Sequence, residues 1–120
     1  MNTLSKPCVL VAEDEPMVAM LLEDLLDASG YRVLLAERFD EALAMAEGET
    51  IDVAILDVGL GKVDTFPIAD VLRGRAIPFL FASGHGRESL PGRFDGVDLL
   101  QKPYDIKGIR GALEKLIAKT

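Results

Sequence analysis

Short apolar runs alternate with amphipathic stretches along the whole chain. The runs fall at Val9–Ala12, Arg32–Ala36, Val53–Asp57, Phe79–Ser83 and Asp98–Gln101. Most are continuously apolar rather than alternating, the pattern of strands buried on both faces. Between them the period becomes helical. From Pro16 to Ser29, Val18, Leu21, Leu22, Leu25 and Leu26 recur at helical spacing, with Pro16 near the first turn and Gly30 beyond the end. A second helix is predicted from an N-cap at Asp40 through Leu43 to Glu47, before Gly48. A third covers roughly Pro67 to Arg73. The last, Ile106 to Lys119, places Ile109, Leu113, Leu116 and Ile117 on one face, and its Gly108 and Gly111 each cost about 1 kcal/mol relative to alanine. Gly86 to Gly96, with Pro91, Gly92 and a turn-like Phe-Asp-Gly, has room only for a short helix and is expected to be mobile.

Strand and helix alternate about five times with short connections, which implies a parallel sheet with right-handed crossovers. The predicted fold class is α/β, a doubly wound sandwich. In such sheets ligands bind beyond the carboxyl ends of the strands, where strand order reverses. Glu13 and Asp14 follow the first strand, and Asp57 closes the third. If those strands are neighbours, three carboxylates converge on one edge, with Glu15 turned to solvent. Buried carboxylates without a counter-charge are costly and take up protons. A hard divalent cation, Mg²⁺, resolves this with an oxygen ligand set. The fourth strand ends in Ser83, and Lys102 follows the fifth. A nucleophilic carboxylate, a metal cage, a hydroxyl and a lysine are the parts phosphoryl transfer needs, with an aspartyl-phosphate forming on Asp57. Any one of these residues alone is unremarkable. It is their joint position at C-terminal strand ends that carries the reading.

Composition narrows the picture. With 120 residues, 49% of them hydrophobic, the chain makes one ordinary domain with a sizeable core. No run approaches the ~20 apolar residues of a membrane span, and no secretory pattern opens the chain, so a cytoplasmic protein without membrane contact is expected. The single cysteine, Cys8, excludes an internal disulfide and is expected in the core. A net charge of −7 disfavours direct contact with nucleic acid. "GLGKVD" fails as a dinucleotide or P-loop motif, because Asp64 and Val63 stand at required positions. "FASGH" is no nucleophile elbow, since Phe81 and His85 replace its glycines. His85, the only histidine, has no nearby Cys or His with which to hold a transition metal.

The residues "EDE" after the first strand, "ILDVGL" in the third, "FAS" in the fourth and "QKP" in the fifth resemble the receiver domain of two-component response regulators. The resemblance spans essentially residues 1–120, a single receiver domain with no output domain. It implies a flavodoxin-like (βα)5 fold: five parallel strands in the order 2-1-3-4-5 with five flanking helices. Asp57 would be the phosphoacceptor. Asp14 and Asp57 would ligate Mg²⁺ directly, Glu13 through water, and the Gly59 carbonyl would add an oxygen. Ser83 and Lys102 would bind the phosphoryl oxygens, and the Lys102–Pro103 peptide would be cis. The donor would be a histidine kinase or a histidine phosphotransfer protein. The docking face would be the fourth helix, fifth strand and fifth helix of a monomer or weak dimer. Output would be phosphorylation-dependent protein binding, relay, or a phosphate sink.

Three features depart from the common pattern. "GLGKVDTFP" replaces the usual Pro-Gly turn after the aspartate. Leu99 stands where a switch Tyr or Phe is usual, three before the lysine. "PFLFASGHG" is similar to the PFxFATGYG signature of the atypical FAT-GUY regulators, with His85 in the place of the aromatic. His85, Leu99 and Tyr104 are therefore the switch and interaction candidates, and His85 with the Gly84–Gly96 segment is expected to take over signalling. Gly59 and His85 would flank the path of an attacking water. Two rival readings are a pseudo-receiver that binds without phosphorylation, and a phosphatase of the haloacid-dehalogenase type. The latter needs a second acid two residues after the nucleophile, where Gly59 stands.

Overall fold

The computed structural model describes residues 6–84, 90–102 and 106–118. Its elements are β1 (Cys8–Ala12), α1 (Pro16–Ala28), β2 (Arg32–Ala36), α2 (Phe39–Gly48) and β3 (Val53–Asp57). A hairpin of two-residue strands follows, β4 (Gly59–Leu60) and β5 (Val63–Asp64), then α3 (Phe66–Gly74) and β6 (Phe79–Ser83). A one-turn 3-10 helix (Gly92–Phe94), β7 (Leu99–Gln101) and α4 (Ile106–Ala118) complete them. The main sheet is parallel in the order β2-β1-β3-β6-β7. In terms of the five predicted strands this is 2-1-3-4-5, with the first and third side by side from Val9↔Val53 to Ala12↔Leu56.

The pleat sends alternate residues to opposite faces, and both faces are covered. Val9, Val11, Val53, Ile55, Leu80 and Ala82 pack with Leu22 and Leu26 of α1 and Ile109, Leu113 and Leu116 of α4. Leu10, Ala12, Ala54, Leu56, Phe79 and Phe81 pack with Ala42 and Ala46 of α2 and Ile68, Ala69 and Leu72 of α3. Each fully buried Leu, Ile or Phe contributes about 2 kcal/mol relative to exposure. Cys8 is buried, as expected. No described helix is long and apolar enough to cross a membrane.

Several local readings need correction. Leu21 shares the helical period but is about half exposed; the inward stripe of α1 is Ala19, Leu22 and Leu26. Asp40 is not the N-cap of α2 but lies in its first turn, where acids favour the helix dipole. The helix starts earlier because the Ala42 amide reaches the Arg38 carbonyl at 3.0 Å. α1 ends as read from Gly30. That residue sits at φ +95 while its N–H bonds to Asp27 and the Tyr31 N–H to Leu26, a Schellman closure that needs a left-handed residue.

The segment expected to be mobile is anchored in its second half. Phe94, in the 3-10 turn, is fully buried and meets the rings of Phe66, Phe79 and Phe81 at centroid distances of 5.7, 6.1 and 5.1 Å. Arg93 forms two 3.1 Å hydrogen bonds with Asp70 of α3, and Arg73 donates to the Arg93 carbonyl at 2.7 Å. Residues 86–89 of that segment lie outside the described residues.

Candidate functional site

Parallel pairing brings the C-terminal ends of β1, β3, β6 and β7 to one edge. Beyond β1, the Glu13 amide donates to the Ala36 carbonyl of β2 at 3.0 Å, which holds the turn against the sheet. Glu13 is thereby buried, while Asp14 and Glu15 are exposed. Asp57 ends β3, half-buried. Oxygens of Glu13, Asp14 and Asp57 lie within 4.8 Å of one another.

Lys102, just past β7, reaches across the sheet edge into this group. Its Nζ is 2.8 Å from Asp57 Oδ2 and 2.9 Å from Glu13 Oε1. Its backbone is tied by an N–H bond to the Ser83 carbonyl at 2.7 Å. Backbone amides hold three of the remaining carboxylate oxygens. Gly59 N–H donates to Asp57 Oδ1 at 3.3 Å, Gly61 N–H to Asp14 Oδ2 at 2.7 Å, and Glu15 N–H to Glu13 Oε2 at 3.2 Å. Ser83 is buried at the end of β6, one residue past the Asp57↔Ala82 pair.

Burial pushes the Glu13 carboxyl above its ordinary value; the Lys102 ammonium opposes the shift and the Asp57 charge adds to it. Burial alone would lower Lys102, but its bonds to Asp57 and Glu13 outweigh that and raise it. Three carboxylates against one ammonium leave two formal negative charges on the edge. An oxygen-only donor set with that charge, and with Asp14 open to solvent, fits a hard divalent cation such as Mg²⁺. Cys or His ligands for a softer metal do not join the cluster among the described residues.

The structure thus gathers Glu13, Asp14, Asp57 and Lys102, with Ser83 and Gly59 beside them. Leu99 lies in β7 opposite Phe81 and packs half-buried against the aromatic face, away from the acids. His85, Pro103 and Tyr104, and with them the Lys102–Pro103 peptide, lie outside the described residues.

Two features were not read from the sequence. The β4–β5 hairpin, turning at Gly61 with φ +61, carries the two amides that hold Asp57 and Asp14. Thr65 is the second. It is fully buried, and its hydroxyl donates to the Asp57 carbonyl at 2.6 Å. A threonine just before Phe66-Pro67 signals a helix start, but in α3 it makes no cap bond.

Comparison with known proteins agrees with the fold. A family model described as "Response regulator receiver domain" matches residues 9–114. The chain is similar to SdrG from Sphingomonas melonis Fr1, with 39% identity and a TM-score of 0.81 over 93% of this chain and 97% of that one. It is also similar to the non-phosphorylated HemR receiver domain from Leptospira biflexa, with 28% identity and a TM-score of 0.82 over 96% and 97%. Among curated sequences, the alkaline phosphatase synthesis transcriptional regulatory protein PhoP of Bacillus subtilis is 30% identical over 93% of this chain but 49% of its own length. The chain spans about half the length of the curated relatives it matches.

Proposed function

This chain belongs to the response regulator receiver family, and from that membership we propose that it accepts a phosphoryl group on Asp57. The observation that carries the reading is the position of Lys102, whose ammonium bridges Asp57 and Glu13 at 2.8 and 2.9 Å inside a three-carboxylate cluster.

The side chains divide the work. An Asp57 carboxylate oxygen attacks phosphorus, and the bond to the donor's imidazole nitrogen breaks with its electron pair leaving on the ring. Lys102, already against Asp57, turns its ammonium to the oxygens of the transferred group, and the Ser83 hydroxyl donates to another. Glu13 keeps Lys102 in place. The Gly59 amide restrains one Asp57 oxygen and so limits the carboxylate's rotation. Asp14 and Asp57 would hold Mg²⁺ directly, Glu13 through water, and the Gly59 carbonyl would add an oxygen. When bound, the ion neutralises charge on the phosphoryl oxygens.

The donor in this reading is the phosphohistidine of a kinase or phosphotransfer protein, and output is phosphorylation-dependent protein binding, relay or a phosphate sink. Membership of the FAT-GUY subgroup, with His85 and the Gly84–Gly96 segment as the signalling element, belongs to the same proposal. It rests on the likeness of "PFLFASGHG" to that signature.

Intact-mass measurement after incubation with acetyl phosphate and Mg²⁺ tests the reading. A gain of one phosphoryl group, about 80 Da, is expected with Mg²⁺ and not with EDTA or in Asp57→Ala. An adduct that persists in Asp57→Ala would overturn it.

A further inference from the structure

Thr65 has no part in the chemistry just described, yet it touches the reacting residue. Its hydroxyl carries one hydrogen, which goes to the Asp57 carbonyl at 2.6 Å; the Val58 carbonyl, at 3.3 Å, is the weaker second acceptor. The β1–β3 register ends at Ala12↔Leu56, one residue short of Asp57. The hydroxyl therefore meets the phosphoacceptor's carbonyl just where that register stops. The Thr65 amide also bonds the Val58 carbonyl at 2.9 Å.

These bonds close the base of the β4–β5 hairpin. The same hairpin presents the Gly59 amide to Asp57 and the Gly61 amide to Asp14. One buried residue thus joins the backbone of Asp57, the loop that orients two of the three acids, and the first turn of α3.

We propose that Thr65 is a positioning residue of the phosphoryl-transfer site, its hydroxyl setting where the Asp57 and Asp14 carboxylates stand. The inference rests on the phosphoacceptor reading. Groups that orient ligating carboxylates through hydrogen bonds affect metal binding and activity without touching the reacting atoms. Valine matches the shape of threonine but leaves the Asp57 carbonyl without this donor. Serine keeps the donor and loses only a methyl.

The test uses wild type, Thr65→Val, Thr65→Ser and Thr65→Ala. Mg²⁺ affinity is read by ¹H–¹⁵N NMR titration, and phosphorylation rate with acetyl phosphate at saturating Mg²⁺. Thr65→Val is expected to lose about ten-fold in Mg²⁺ affinity or rate, with Thr65→Ser close to wild type. Serine and alanine both lack the methyl and differ only in the hydroxyl, so that pair decides the matter even if the valine variant does not fold. Unchanged affinity and rate in Thr65→Val, or Thr65→Ser falling as far as Thr65→Ala, would overturn the proposal. A lowered unfolding midpoint alone, with affinity and rate intact, would overturn it too. A wild type that takes up no phosphoryl group would count against the phosphoacceptor reading, while the Mg²⁺ titration would still judge Thr65.

Discussion

Two sets of charged side chains hold this molecule in different ways. At the strand ends Glu13, Asp57 and Lys102 crowd together with side-chain exposures of 2%, 14% and 22%. On the outer face, Asp70 and Arg93 pair at 49% and 51% exposure, and Arg38 and Asp40 at 78% and 75%. In the first set the charges are largely removed from water, and Glu13 shows it in a carboxyl that binds its proton more tightly than usual. In the second set solvent screens the attraction, so the pairs add little by themselves. Arg93 has a further use: its guanidinium lies 4.7 Å from the Phe94 ring centroid, and Arg73 lies 4.9 Å from it. The Arg93–Asp70 pair pins a loop to α3, whereas the inner cluster gathers like charges at a cost to stability, as functional sites do.

Removing the ammonium should break the contrast most severely. Lys102→Ala leaves Glu13 and Asp57 facing each other, and the metal-free protein is expected to lose about 3 kcal/mol in urea unfolding. Mg²⁺ should restore part of that loss, because it binds the folded state. A loss no larger than that of a surface substitution would mean the cluster is not held as a unit.

Relieving the repulsion should act in the opposite direction. Glu13→Gln is expected to stabilise the metal-free protein near neutral pH by roughly 1 kcal/mol while weakening Mg²⁺ binding. The sign with pH follows from the raised carboxyl. Its contribution to stability is fully present below the unfolded value and is lost as pH rises through the folded one. The advantage of Glu13→Gln over wild type should therefore shrink as pH falls through the carboxylate range. Thermal unfolding of both proteins across that range, without metal, checks this; an advantage that grew toward acid would contradict it.

The outer pairs should respond weakly. Arg93→Ala loses the two-bond pair with Asp70 and the ring contact, together about 1 kcal/mol. Arg38→Ala, in near-full exposure, should cost less than about 0.5 kcal/mol. Denaturant midpoints for the two variants sharpen the comparison, which fails if Arg38→Ala costs as much as Arg93→Ala.

Much of this architecture was legible because strands buried on both faces leave continuous apolar runs. β2, β3 and β6 have the bounds read from the chain. The acids and Lys102 were legible for a related reason, since a charge that abruptly ends such a run marks a strand end. What escaped depends on closure in three dimensions. Two-residue strands are too short to show alternation, so the β4–β5 hairpin left no pattern. Phe94 is a lone apolar residue in Gly-Arg-Phe-Asp-Gly, and no period reports that it joins a cluster of rings. Asp40 was misplaced because the N-cap and the first turn favour the same acids. Thr65 escaped because which carbonyl its hydroxyl meets is decided by the hairpin before it.

The most direct measurement is a beryllofluoride titration followed by ¹H–¹⁵N NMR, with and without Mg²⁺, on wild type and Asp57→Asn. The trifluoride occupies an aspartyl-phosphate site without being consumed by hydrolysis. New resonances for the amides of Asp57, Gly59, Ser83 and Lys102, seen only with Mg²⁺ and absent in Asp57→Asn, are the predicted result. A wild-type spectrum that does not change with beryllofluoride and Mg²⁺ together would contradict Asp57 as the phosphoacceptor.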